Sequence, residues 1–104
     1  MIRLTTPTHS FSVPFDPEDM REILLTYTQN GRFVLERRKA ELSFGSDEQG
    51  HTVYHRLTQE ETGRFRAGEP VRIQLRALTG AGDALASDPV TVQVEDVLND
   101  EVLT

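Results

Sequence analysis

The chain contains no cysteine and no tryptophan among its 104 residues. The absence of cysteine excludes disulfide bonds, thiolate zinc sites and cysteine nucleophiles, and it is typical of proteins that reside in a reducing compartment. No stretch approaches the ~20 apolar residues that a membrane-spanning helix requires, and the first residues lack an apolar run of signal-peptide length. We therefore expect synthesis in the cytoplasm and no membrane partner.

Basic residues are outnumbered, with 11 Lys and Arg against 17 Asp and Glu, which gives a net charge of −6. A protein that neutralises phosphates along a nucleic acid carries the opposite balance, so we expect no nucleic-acid partner. A chain of this length buries roughly 65% of its unfolded surface on folding. That is enough for one core, and we expect a single domain over residues 1–104.

Alternation of apolar and polar residues is the main structural signal. The pair Asn30-Gly31 stands between two alternating runs and predicts a two-residue type I′ turn, which needs φ > 0 at both central residues. Residues 22–28 and 32–37 then form a hairpin. Similar alternation predicts strands at residues 10–15, 40–44, 53–57, 71–77, 84–87 and 90–94. Thr58 followed by Glu61 is the pattern of a capping box and predicts one or two helical turns ending near Arg64.

The segments add up to about seven short strands at spacings of about ten to twelve residues, with one short helical turn. This pattern predicts an all-β fold, an immunoglobulin-like antiparallel β-sandwich, with a small barrel as the alternative. Residues 96–104 mix acidic and apolar types without a clear period. We expect them to form a tail or a short docking segment.

Both faces of the predicted hairpin are partly apolar. Counting outward from the turn places one set of side chains together, Ile23, Leu25, Tyr27 and Val34, and a second set on the opposite face, Leu24, Thr26, Thr28, Phe33 and Leu35. We expect the first face to be core, because Tyr27 joins a large apolar area to a polar tip. Phe33 and Leu35 then become candidates for protein contact. With the opposite face as core, they would be buried instead.

Two arginines are further candidates for protein contact. The strand at residues 71–77 directs Arg72 and Arg76 away from the core, where their planar guanidinium groups suit an acidic protein partner. The alternative, which applies to Arg37 and Arg38 as well, is cross-strand pairing on the same sheet with Glu36 or Glu41.

No group of residues predicts catalysis, a metal site or a cofactor. His51 and His55 would lie about 13 Å apart on one strand, too far for a single ion. The acidic residues between 16 and 22 lack the calcium-loop pattern. The pair Gly80 and Gly82 lacks both the third glycine and the following helix of a dinucleotide fingerprint. We therefore expect no enzymatic activity, no catalytic or metal-binding residue and no cofactor.

Four segments along nearly the whole chain carry a resemblance to a known family: TYTQNGRFVLE (26–36), LTQEET (57–62), VRIQLR (71–76) and ALASD (84–88). Together they resemble small structural-module proteins encoded among the structural genes of phages and prophages of Gram-positive bacteria. The resemblance implies a virion or virion-assembly component.

The absence of a chemical motif and this resemblance together favour a non-enzymatic structural or assembly protein, which the resemblance implies would act through contacts with itself or with larger virion proteins. The alternative is a ligand-binding module of the carbohydrate type that uses loops at one end of the sandwich. Surfaces that bind sugars commonly stack them on aromatic rings, and this chain has only Tyr27 and Tyr54 as tyrosines and no tryptophan. We therefore place that alternative second.

Overall fold

The computed structural model describes residues 1–104 and consists mainly of β-strands. The strands are β1 (Thr8–Val13), β2 (Met20–Gln29), β3 (Arg32–Arg38), β4 (Ser43–Asp47), β5 (Gly50–Arg56), β6 (Val71–Thr79), β7 (Ala84–Ala86) and β8 (Val90–Val92). One short helix, α1 (Gln59–Gly63), precedes β6, and single 3₁₀ turns lie at Pro17–Asp19 and Lys39–Glu41. None of these helical segments is long and apolar enough to cross a membrane.

The strands form two antiparallel sheets that pack as a sandwich. The smaller sheet has the order β1-β5-β4, and the larger has the order β3-β2-β6-β7, with β8 also paired to β6. Two antiparallel sheets whose neighbouring strands come from distant parts of the chain are the arrangement of an immunoglobulin-like sandwich. The predicted fold class is confirmed.

β7 and β8 occupy the same edge of β6 and act as one interrupted strand. Ala84–Ala86 pairs with one end of β6 and Val90–Val92 with the other. Between them, the Ser87 amide donates a hydrogen bond to the Leu75 carbonyl, and the Ser87 hydroxyl accepts one from the Leu75 amide. Pro89, which lacks a ladder donor, falls in this interruption at a sheet edge, where no backbone donor is needed.

The predicted Asn-Gly turn is present between β2 and β3. Asn30 has φ of 49° and Gly31 has φ of 74°, the positive values that a type I′ turn requires. The first pairs, Gln29 with Arg32 and Thr28 with Phe33, also follow the prediction. The register then shifts, because Tyr27 faces Leu35 rather than Val34.

This shift corrects the predicted faces of β3. One extra residue in a β-bulge reverses the direction of every side chain that follows it. Leu35 is therefore 2% exposed and belongs to the core, whereas Val34 is only partly buried. The interpretation of Leu35 as a surface contact residue was wrong, and that of Phe33 as an outward residue, 62% exposed, was right.

Thirteen buried apolar residues form the core between the sheets: Met20, Ile23, Leu25, Tyr27, Leu35, Val53, Leu57, Phe65, Val71, Ile73, Leu75, Ala77 and Val94. The alternation predicted for β6 is confirmed, since Val71, Ile73, Leu75 and Ala77 are all buried. The predicted strand at residues 40–44 was partly wrong, because a 3₁₀ turn occupies Lys39–Glu41 and β4 begins only at Ser43.

The capping box predicted before α1 is also present. The Thr58 hydroxyl accepts a hydrogen bond from the Glu61 amide at 3.1 Å, and the Glu61 carboxylate accepts one from the Thr58 amide at 2.8 Å. Leu57 and Phe65, on either side of the helix, are buried and attach it to the core. The helix therefore presents Glu61 to the interior of the sandwich.

Candidate functional site

The outward side of the larger sheet, which we call the outer face, bears polar, charged and apolar side chains in cross-strand rows. One row runs from Phe33 through Thr28 and Arg72 to Thr91. Another runs from Arg38 through Leu24 and Arg76 to Ala86. Residues two apart on a strand share a face. The buried residues of β2 and β6 alternate with the residues of these rows, so the rows point outward.

Arg72 and Arg76 are exposed and have no ion-pair partner. No carboxylate oxygen lies within 4.0 Å of either guanidinium group. The carboxylates considered for them at the sequence level are used elsewhere, since Glu41 lies 3.8 Å from Arg37 and Glu36 lies 3.9 Å from Arg38. The alternative of pairing with Glu36 or Glu41 was wrong for Arg72 and Arg76, although Arg37 and Arg38 do pair with these carboxylates, and two cations remain unneutralised on the outer face.

Two shallow depressions mark the outer face. The larger, of about 330 Å³, is lined by Glu22, Leu24, Arg38, Arg76, Ala77, Leu78 and Ala84. The smaller, of about 120 Å³, is lined by Thr26, Thr28, Arg72, Gln74 and Pro89. Each depression therefore has one of the unpaired arginines in its wall. The larger one combines apolar side chains with charged ones of both signs, since Glu22 stands beside Arg38 and Arg76 in its lining.

A third depression, an apolar groove, lies at an open edge of the sandwich. It has a volume of about 270 Å³ and lies between β1 with the residues after it and β6–β7. Its lining includes Val13, Phe15 and Leu85 and has no charged side chain. The groove therefore lacks the electrostatic selectivity of the outer face.

The exposed aromatic rings do not come together. Phe33 lies on the outer face of the larger sheet, whereas Tyr54, 37% exposed, lies on the smaller sheet and packs against Gly45. Tyr27 is fully buried. No loop at one end of the sandwich gathers these rings into a stacking platform, so the geometry does not favour the carbohydrate alternative.

A polar network in the interior, which the sequence did not predict, links five elements. The Tyr27 hydroxyl lies 2.9 Å from Nδ1 of His9 and 3.0 Å from Nδ1 of His55. His55 Nε2 lies 3.8 Å from the Glu61 carboxylate, which also forms an ion pair with Arg37. A hydroxyl has one proton, so Tyr27 donates to one imidazole and accepts from the other.

Burial sets the protonation states in this network. Burial lowers the pKa of His55, and the Glu61 carboxylate partly opposes this shift. Burial also lowers the pKa of His9, and the nearby charge of His55 lowers it further. Burial raises the pKa of Tyr27, which stays protonated. Burial opposes ionisation of Glu61 as well, but the Thr58 amide and the Arg37 charge outweigh it and lower that pKa.

These directions predict a protein that loses stability in acid. The folded pKa of each network histidine lies below its usual 6.5, so the unfolded chain takes up protons first as the pH falls. The free energy of unfolding should therefore decrease from about pH 6.5 downward, and Glu61 adds a further decrease below its usual 4.5. Urea unfolding from about pH 7.5 to about pH 5 measures the slope.

His51→Gln is the matched control, because His51 lies on β5 outside the network. We expect the control to keep the full slope and His9→Gln to reduce it. An unfolding free energy that stays constant across this pH range would contradict the assigned neutral histidines.

The histidines considered as metal ligands do not form a site. His55 is buried and its ring nitrogens face Tyr27 and Glu61, whereas His51 is only partly buried at the start of β5. No group of three or more histidine, cysteine or carboxylate side chains is placed to hold a metal ion. The sequence signal for the network was limited to the polar tip of Tyr27 and the capping role of Glu61.

Comparison with known proteins assigns no family to this chain. No protein-family model, no curated protein and no solved structure matches the chain. A function for this chain therefore has to be inferred from the outer face and the residues that form it.

Proposed function

We propose that this chain is a non-enzymatic structural or assembly protein, a virion or virion-assembly component of a phage or prophage. In this proposal it works by burying the outer face of its larger sheet against another protein. The virion setting comes from the family resemblance of its strand and turn segments.

One observation carries the contact role: Phe33 is 62% exposed on the same face as the unpaired Arg72 and Arg76. Aromatic and arginine side chains are the two types that most often dominate the energy of a protein interface. An exposed aromatic ring on the same sheet face as unneutralised guanidinium groups gives an apolar anchor and a source of charge selectivity together.

Incorporation into particles tests this role. Tagged wild-type chain and Phe33→Asp are produced in a host whose prophage encodes the chain, and the chain is quantified in purified particles. We expect wild type to be incorporated and Phe33→Asp to be depleted at least about tenfold, because a charge replaces the apolar anchor of the contact. Absence of the wild-type chain from particles, or normal incorporation of Phe33→Asp, would contradict the proposal.

Tyr54→Asp is the matched control, since it places the same charge on the opposite sheet. It should enter particles like wild type. Thermal melting separates contact from folding, because a change at Phe33 should shift the free energy of unfolding by less than about 0.5 kcal/mol.

A further inference from the structure

We infer that the outer face of one copy binds residues 96–104, here named the acidic segment, of a second copy. The inference rests on the proposed function, because it names the occupant of the same face. Three features carry it: the charge of the segment, its uncovered apolar side chains, and the unpaired cations of the face.

The acidic segment has three carboxylates, Asp96, Asp100 and Glu101, and no basic residue. Asp96 pairs with Arg3 at 2.7 Å, but neither Asp100 nor Glu101 has a cation within 4.0 Å. The segment and the outer face are therefore complementary: two unpaired anions on one and two unpaired cations on the other. Opposite potentials of this kind fix register and select partners.

The same segment exposes apolar side chains that its own fold does not cover. Leu98 projects fully into solvent at 109% relative exposure, and Leu103 is 72% exposed. Its end is held to its own chain by one side chain, because the Gln59 amide exchanges two hydrogen bonds with the Leu103 backbone. Uncovered leucines on a lightly attached segment are what an apolar depression elsewhere can bury.

The larger depression of the outer face fits this requirement. Its volume of about 330 Å³ admits one leucine side chain, and Leu24 and Leu78 supply apolar lining. Arg76 stands in its wall, where the Glu22 carboxylate is already paired with Arg38 and leaves Arg76 free. With Leu98 in the depression, the carboxylate of Asp100, two residues along an extended chain, comes within about 7 Å of the leucine position. That brings it within reach of the flexible Arg76 side chain.

A contact between a face and a segment is heterologous, because different surfaces of the two copies meet. Such contacts repeat from copy to copy and produce a ring when the rotation closes and a filament when it does not. The smallest closed assembly is a dimer in which each segment binds the face of the other copy, so the inference predicts a reciprocal dimer, a larger ring or a filament.

Charge reversal tests the pairing in the full-length chain. The face-reversed chain is Arg72→Glu with Arg76→Glu, and the segment-reversed chain is Asp100→Lys with Glu101→Lys. Sedimentation velocity over a concentration series should show association of the parent and at least about a tenfold rise in the dissociation constant for each reversed chain alone. An equimolar mixture of the two reversed chains should associate again, since each reversed surface then meets an opposite charge.

Two matched controls carry the same charge changes elsewhere. Arg56→Glu with Arg64→Glu alters two exposed arginines without ion pairs, and Asp47→Lys with Glu48→Lys alters the same Asp-Glu dipeptide in the β4–β5 turn. Both control chains should associate like the parent. Thermal melting confirms that every variant is folded.

Each other outcome overturns the inference. If face reversal weakens association and segment reversal does not, the face is a contact surface with a different occupant, and only this inference fails. If Leu85→Asp in the open-edge groove weakens association and face reversal does not, the contact surface is the groove and not the outer face. A parent that stays monomeric also overturns the inference, while particle incorporation of Phe33→Asp decides the proposed function separately.

Discussion

Leu35→Ala should destabilise the domain by about 2–5 kcal/mol, the cost of removing a large side chain from a packed core. Leu35 is 2% exposed and lies opposite Tyr27 across the β2–β3 pair. Its burial depends on the bulge that reverses the faces of β3. Urea unfolding measures the loss, with the slope of the transition checked for two-state behaviour.

Phe33→Ala is the matched control on the same strand. Because Phe33 is 62% exposed, its truncation should change the free energy of unfolding by less than about 0.5 kcal/mol. A hairpin without the bulge would keep Phe33 outward, turn Leu35 outward as well and bury Val34, so Leu35→Ala would cost little and Val34→Ala would cost most. That result would contradict the register described for β2 and β3.

Arg37→Met should cost about 3 kcal/mol, since it leaves the Glu61 carboxylate buried without its cation. The side chain of Glu61 is 8% exposed and that of Arg37 is 22% exposed, so water screens this pair less than a surface pair. Arg38→Met is the control: Arg38 pairs with Glu22 at the surface, where such pairs contribute about 0–1 kcal/mol.

A double-mutant cycle isolates the interaction. Glu61→Gln removes the charge but keeps a residue type that completes the capping box at α1. Arg37→Met combined with Glu61→Gln should be more stable than Arg37→Met alone, because no unpaired buried charge remains. Strict additivity of the two free-energy changes would show that the two side chains do not interact.

The sequence carried enough local signal to predict the sandwich. The Asn-Gly turn, the capping box at Thr58 and the alternation along β6 are all properties of a few neighbouring residues. The bulge at Val34 was different, because either residue of the pair Val34 and Leu35 is apolar enough for the core. Packing against the smaller sheet, which no local pattern records, decides between them.

The sequence predicted that the arginines of the candidate site point outward, but it did not predict which carboxylates form ion pairs. Alternation along β6 was enough to place Arg72 and Arg76 outward. Their lack of an ion pair was not predictable, since the rotamers of long side chains decide which carboxylates Arg37 and Arg38 engage. The contact between His9 and Tyr27 joins residues from opposite sheets, and only the finished sandwich brings them together.

Hydroxyl-radical footprinting of the assembled protein tests the outer face as the contact surface most directly. Oxidation is quantified by mass spectrometry at Phe33 and Tyr54, two exposed aromatic rings on opposite sheets, in the free chain and in the assembly. We predict that oxidation of Phe33 falls several-fold on assembly, because the ring becomes buried, while oxidation of Tyr54 is unchanged. Equal oxidation of Phe33 in the free and assembled protein would contradict the contact role of the outer face.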